Sequence, residues 1–208
     1  MSNWIRQPTD DSSNSVLNWD ARLLQDALLK AISSSPDSFL TTIREITNAD
    51  TLRWVSEVRS STWVIAQRDG NVVGVVGAKR PNAEDRESPE TSRYIESVWI
   101  APDLRGHHLA ERLIKYLLYS EYRRYPRINQ FQLWVFDTNL PAIKLYRNLR
   151  FTETPERNEG VRTEIKYRLD FSDEVCADVC RAVTEDALRR DELRHGVTYR
   201  VLGGEGPA

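Results

Sequence analysis

Glu96 stands in the middle of YIESVWI (94–100), a β-branched and aromatic run that reads as a strand, and Pro102-Asp103 then breaks it. Shortly afterwards the chain reads Arg105-Gly106-His107-His108-Leu109-Ala110. From there Leu109, Leu113 and Leu117 recur every four residues, so a helix begins after Gly106. A helix opening on Arg-Gly directly after a strand offers free backbone N–H groups and the positive end of its dipole, a combination that binds phosphate. The chemistry suggested is a nucleotide-like cofactor laid beside a strand that carries a carboxylate.

A second unit follows about thirty residues on. Residues 131–151, FQLWVFDTNLPAIKLYRNLRF, read as a buried strand, a polar break and a helix carrying Ala142, Leu145, Tyr146 and Leu149. The tandem resembles the GNAT superfamily of acyl-CoA-dependent N-acyltransferases. The pyrophosphate loop of that family reads Arg/Gln-x-x-Gly-x-Gly/Ala, and its next unit reads Asn-x-x-Ala-x-x-Leu-Tyr-x-x-x-Gly-Phe. Arg105, Ala110, Asn139, Ala142, Leu145, Tyr146 and Phe151 fall in register. His108 stands where the loop has its central Gly, and Arg150 replaces the Gly before Phe151.

The resemblance implies transfer of an acyl group, acetyl above all, from CoA to a primary amine by direct attack in a ternary complex. In that reading Glu96 is the base, backbone N–H groups near Val98 and Ile100 polarise the thioester carbonyl, and Trp99 lies with them among the cofactor-binding residues. Residues Arg105, Gly106, His107, His108, Leu109 and Ala110 hold the pyrophosphate, Asn139 bonds the cofactor, and Tyr146 protonates the leaving thiolate. Acetyl-CoA is the cosubstrate and no metal is called for. Two rivals stay open: another donor on the same fold, such as a carrier-protein thioester or an aminoacyl-tRNA, and a non-catalytic acyl-CoA-binding module.

Each residue also has a plainer reading. Read without the resemblance, Glu96 is an edge acid paired with a basic side chain, since Tyr94, Val98 and Ile100 at alternate positions are apolar. Read on its own, Tyr146 is a core tyrosine, and Asn139, before Pro141, is equally a helix cap. His108 either turns outward while its N–H serves the phosphate, or adds its imidazole with that of His107, or marks a site for another donor. The basic run YRRYPR (122–127) suits phosphate or a solvated helix end. Cys176 and Cys180, one turn apart, read as packing residues, because C-x-x-x-C with His195 is a poor zinc spacing.

The elements that must position these groups are legible by periodicity. A short strand is expected at 3–7, helices at 17–32, about 38–46 and about 50–59, and strands at 62–67 and 72–78 joined by an Asp-Gly hairpin. A polar loop (81–92) carrying Glu84, Asp85, Glu87 and Glu90 leads to the Glu96 strand and suggests a cationic acceptor. A last strand is expected at 163–169. The fold class is α/β (α+β): a mostly antiparallel central sheet flanked by helices, its strands 94–100 and 131–136 parallel because a helix joins them. The acyltransferase unit covers residues 1–170. Residues 171–208 form a C-terminal extension: a helix from Ser172 to His195 whose row Val175, Val179, Val183 must pack on its own domain or on a second copy, then a strand VTYRVL and a loose tail.

Composition excludes several classes. With 29% charged and 40% hydrophobic residues in 208, the chain is that of a globular protein with a real core. No apolar run approaches a membrane span, and the N-terminus lacks the pattern of a secretion signal. A net charge of −2 argues against general nucleic-acid binding, and two cysteines point to a reducing cytoplasm.

Overall fold

A computed structural model describes residues 10–184, 189 and 192–203. Three helices come first: α1 (Asp10–Ser34), α2 (Ile43–Asn48) and α3 (Thr51–Ser60). Local chemistry fixes the two short ones. Thr42 and Glu45 form a reciprocal capping box on α2, and Asp50 accepts from Arg53 N–H at the start of α3. The strands β1 (Thr62–Arg68) and β2 (Asn71–Lys79) follow, joined by Asp69-Gly70, both at positive φ as a tight hairpin requires. Next come β3 (Ser92–Ile100), α4 (Leu109–Arg124), β4 (Gln130–Phe136), α5 (Leu140–Asn148), β5 (Thr152–Glu159), β6 (Thr163–Asp170), α6 (Asp173–Ala182) and β7 (Val197–Gly203).

The seven strands make one sheet in the order β5-β6-β4-β3-β2-β1-β7. Only β3 and β4 run parallel, across the α4 crossover. Their pairing covers Ser92–Tyr94 against Gln130–Gln132 and stops there, so the strands splay toward their C-terminal ends. Helices cover both faces. α1 and α3 pack on Trp63, Ile65, Val75 and Trp99, whereas α4 and α5 pack on Val64, Val76, Ile95, Ile100 and Leu133.

The alternation expected in the Glu96 strand is interrupted. Ser97 takes φ 56, and the register slips so that Gly77 opposes Glu96 while Val75 opposes Trp99. This bulge inserts one residue and reverses the faces beyond it. Val98 and Ile100 therefore join Ile95 against α4, and Trp99 turns toward α1. They do not share Glu96's face, as strict alternation had required.

The C-terminal helix is shorter than its sequence pattern suggests. α6 ends at Ala182, Val183 and Thr184 form a turn and a bend, and the chain is helical again at Glu192–His195. The row Val175, Val179, Val183 is buried within this chain, with α6 against α4. The strand expected from VTYRVL forms as β7 and pairs with β1 along its whole length. Asp20 of α1 binds Arg200, and Arg124 of α4 donates to the Gly203 carbonyl (2.7 Å each). A Cβ on Gly203 would lie 1.9 Å from the Val58 carbonyl oxygen, so only glycine fits there. The strand expected at 3–7 and the last five residues lie outside the described residues. No described helix is long and apolar enough to cross a membrane.

Candidate active site

The splay of β3 from β4 opens a cleft of about 980 Å³. Glu96, Val98 and Ile100 line one wall, Trp134 and Phe136 the other, and α4 and α5 close the ends with Leu109, Ala110, Asn139 and Tyr146. Ser35, Phe39 and Leu40, between α1 and α2, form part of the rim.

Backbone donors face this gap. Ala101 N–H donates to Val73 O of β2 at 2.8 Å, and successive N–H groups of a strand point to opposite edges. The N–H groups of Ile100 and Val98 thus point toward β4, where pairing has already ended. At the start of α4 the first helical bond runs from Arg112 N–H to His108 O (3.1 Å), leaving Leu109, Ala110 and Glu111 N–H without a helical acceptor. Arg105 holds the turn in place, donating to Ile100 O (3.1 Å) and to Ser35 Oγ (2.7 Å). At Gly106, φ 81, the space where a Cβ would stand is open. These features fit a ligand with a phosphate at one end and a carbonyl at the other.

His108 turns outward. It caps α4 at φ 59, ψ 14, its side chain 76% exposed, with Nδ1 3.3 Å from Glu111 Oε2. The family's glycine at this point is explained by the left-handed backbone, and Arg150, φ 68, repeats the pattern at the second departure. Glu111, an acid in the first turn of α4, is paired with Lys115 at 3.1 Å. His107 sits under the ring of His195, centroids 5.4 Å apart, and its carbonyl accepts from Arg112.

Glu96 is paired, with Lys79 Nζ 2.9 Å from its Oε1. Lys79 also reaches Glu57 Oε1 of α3 at 2.9 Å. Burial pushes the Glu96 carboxyl above its ordinary value, the Lys79 ammonium pulls it down, and Glu57 adds a further upward push; the net is a rise. Its side chain is still 33% exposed to the cleft, so the group is desolvated yet reachable. Sequence reasoning did not find Lys79 or Glu57. No motif marks them, since their meeting depends on how α3 packs on the sheet.

Tyr146 is buried at the foot of the cleft, its ring beside Phe151 (6.0 Å), and burial pushes its hydroxyl well above the ordinary range. No described residue hydrogen-bonds that hydroxyl. Asn139 caps α5, its Oδ1 accepting from Ala142 N–H at 3.3 Å, while also lining the cleft. Trp99 contributes only backbone to the cleft edge, because its indole lies in the α1 core and donates to Ser34 Oγ (2.8 Å).

Of the four loop acids, Asp85 lines the cleft. Glu87 instead accepts from Lys166 Nζ (2.5 Å) and Tyr94 OH (2.9 Å), fastening the loop to the sheet. Arg124, in the basic run, bonds Thr62 and Gly203 rather than the cleft. Cys176 and Cys180 form no disulfide but share a thiol hydrogen bond, their sulfurs 3.9 Å apart, Cys176 packed on the core and Cys180 exposed. Among the described residues no group of three metal-binding side chains converges.

The site thus joins a splayed parallel pair, a carboxylate on the bulged strand β3, and a helix start preceded by Gly106. The chain belongs to the acetyltransferase (GNAT) family, whose model matches residues 26–151, and it is an acyltransferase. None of the curated proteins matches it in sequence. Among solved structures, the ribosomal-protein-alanine N-acetyltransferase of Brucella melitensis superposes with a TM-score of 0.59 at 17% identity, over 74% of this chain and 95% of that one. Salmonella typhimurium yncA, solved with its cofactor acetyl-CoA, gives 0.58 at 17% identity over 75% and 91%. RimL, a ribosomal L7/L12 α-N-protein acetyltransferase in complex with coenzyme A, gives 0.55 at 13% over 74% and 90%. At these identities the likeness establishes the fold.

Proposed function

We propose that this chain moves an acetyl group from acetyl-CoA to a primary amine by direct attack in a ternary complex. The observation that carries this reading is that the Glu96 carboxylate and the Tyr146 side chain line one cleft, with the gap-facing N–H groups of Val98 and Ile100 on its β3 wall. Bound acetyl-CoA supplies an activated acyl group, and the residues do the rest. The turn 105–110 holds the diphosphate on free N–H groups. The N–H groups of Val98 and Ile100 donate to the carbonyl oxygen, where negative charge grows as the amine attacks. Glu96 takes the proton from the ammonium, and its raised affinity for protons brings it closer to the working range of a base. Tyr146 stays protonated because it is buried, so it has a proton to give the departing sulfur.

The acceptor is read as a cationic amine on the strength of Asp85, the loop acid that lines the cleft with Glu96 and Glu164, the basic Lys79, Arg80, Arg105 and Lys144 lining it too. Residues 171–208 are read as an extension that supports the sheet without entering the chemistry. The location is read as the cytoplasm, since two cysteines in 208 residues imply no disulfide framework.

The test is release of free thiol from acetyl-CoA in the presence of spermidine, lysine or an alanine-initiated peptide. Glu96→Gln should keep acetyl-CoA binding and lose turnover by about 10²–10⁴-fold, least at high pH where free amine is plentiful. Wild-type turnover by this variant across pH would remove Glu96 from the role of base. No thermal shift with millimolar acetyl-CoA would turn the assignment toward another acyl donor.

A further inference from the structure

Lys79 lies where two carboxylates meet. Its Nζ is 2.9 Å from Glu96 Oε1 and 2.9 Å from Glu57 Oε1, which places those carboxylate oxygens at most about 6 Å apart, within the range where like charges oppose each other's ionisation. The lysine is held from several sides. In the β2–β3 register Gly77 faces Glu96 directly, and Lys79, two residues on, stands on the same face. Gly77 has no side chain, and the Trp63 ring occupies that space, where a Cβ would meet it at 2.6 Å. The same ring lies 5.9 Å from Lys79 Nζ. The acid, the lysine and the second acid thus come from three elements, β3, β2 and α3, and each is placed by packing rather than by a loop.

We infer that Lys79 and Glu57 are positioning residues for acyl transfer: Lys79 keeps Glu96 ionised and aimed along the cleft wall, and Glu57 keeps Lys79 charged and in place. The inference rests on the reading of Glu96 as the base. The physical logic is a three-charge balance. Without the ammonium, nothing would offset the burial of Glu96 and the nearby charge of Glu57, so Glu96 would hold its proton more tightly, and a protonated Glu96 accepts nothing. Without Glu57, Glu96 would feel the ammonium alone and become a weaker base. Burial lowers the proton affinity of Lys79, but the two acids outweigh it and the net is a rise, so the lysine stays cationic. Other charged groups lining the cleft are Arg80 and Asp85 from the loop after β2, Glu111 and Arg105 at the α4 end, and Lys144 and Glu164 across the gap. None of them pairs with Glu96.

The reading can be tested without knowing the acceptor. Full-length protein with ¹³C-labelled glutamate Cδ is titrated by NMR, the Glu96 resonance being assigned by its loss in Glu96→Gln. Lys79→Met should raise the Glu96 midpoint by about one unit or more, and Glu57→Gln should lower it. Lys79→Arg should hold it near wild type, and Lys79→Gln replaces Lys79→Met should the latter not fold. In thiol release with acetyl-CoA and whichever of spermidine or the alanine-initiated peptide is acylated faster, the acidic limb of kcat/KM should move with the NMR midpoint. The Kd for acetyl-CoA should change less than about twofold, since no diphosphate contact is touched. Midpoints that stay put, or that move in the same direction in both variants, would overturn the positioning role. If instead the midpoints move as expected while Glu96→Gln remains fully active, the base assignment fails and the electrostatic coupling stands.

Discussion

Arg150 and His108 hold a backbone shape that glycine adopts without steric cost. A side chain in the left-handed region costs about 1–2 kcal/mol, part of which glycine gives back through the freedom of its unfolded chain. The Arg150 side chain pairs with Glu174, an exposed partner at 2.7 Å, and such a pair contributes little. Arg150→Gly is therefore expected to raise the melting temperature by roughly 2–4 °C, consistent with a gain near 1 kcal/mol in a chain of this size. Calorimetry showing a lower melting temperature would mean that the side chain does more than the backbone suffers. Tyr146→Phe keeps the ring and removes only a hydroxyl with no partner among the described residues. Stability should hardly change, and thiol release should fall for every acceptor alike. Both departures from the family motif were visible in the sequence, but their meaning was not. The left-handed φ at 108 and 150 depends on chain geometry, as does the bulge at Ser97, which no residue type announces.

The loop between β2 and β3 behaves as an element because Glu87 fastens it. Lys166, only 4% exposed, sits between Glu87 and Glu156 and over the rings of Tyr94 and Trp134. Burial works to raise the Glu87 carboxyl, but the bonds from Lys166 and Tyr94 outweigh it and its proton affinity is lowered. A carboxylate held low contributes stability above its ordinary value of 4.5, and that contribution is lost as pH falls through the lowered value. Amide exchange in residues 81–91 should accelerate below about pH 4.5 beyond the intrinsic chemistry. Lys166→Met should bring the same acceleration at neutral pH. Equal protection at pH 4 and pH 7 in the wild type would dissociate the loop from this ion cluster. Strands 62–67 and 72–78 and the α4 and α5 helices were readable from period and turn chemistry alone. The loop's acids were readable only as charge, since which one meets Lys166 and which lines the cleft depends on β6, some eighty residues away in sequence.

In the molecule as a whole, one ion pair among the described residues is deeply buried on both sides, and it ties β3 to α4. Arg93 Nε lies 2.7 Å from Glu121 Oε2 with the two side chains 3% and 1% exposed, and Arg93 also donates to Pro89 O and Ser92 O. Arg93→Met leaves Glu121 as an uncompensated buried charge and should cost about 3–5 kcal/mol in urea unfolding. The double variant Arg93→Met, Glu121→Leu should recover much of that loss. A double variant as unstable as the single one would show that the carbonyl bonds, and not the charge, hold this corner.

The seam between β1 and β7 also orders events in time. Thr198 and Gln67, bonded across it, are separated by 131 residues. A ribosome adding about 5–20 residues per second emits β1 many seconds, roughly seven to twenty-five, before the strand that covers its edge. Throughout that interval TWVIAQR, apolar and β-branched, presents an open row of backbone groups to any neighbouring chain. Yield in the cell is therefore governed by how well that nascent edge is shielded during synthesis. Slower translation past residue 68, or removal of holding chaperones, should increase the aggregated fraction while leaving the finished protein unchanged.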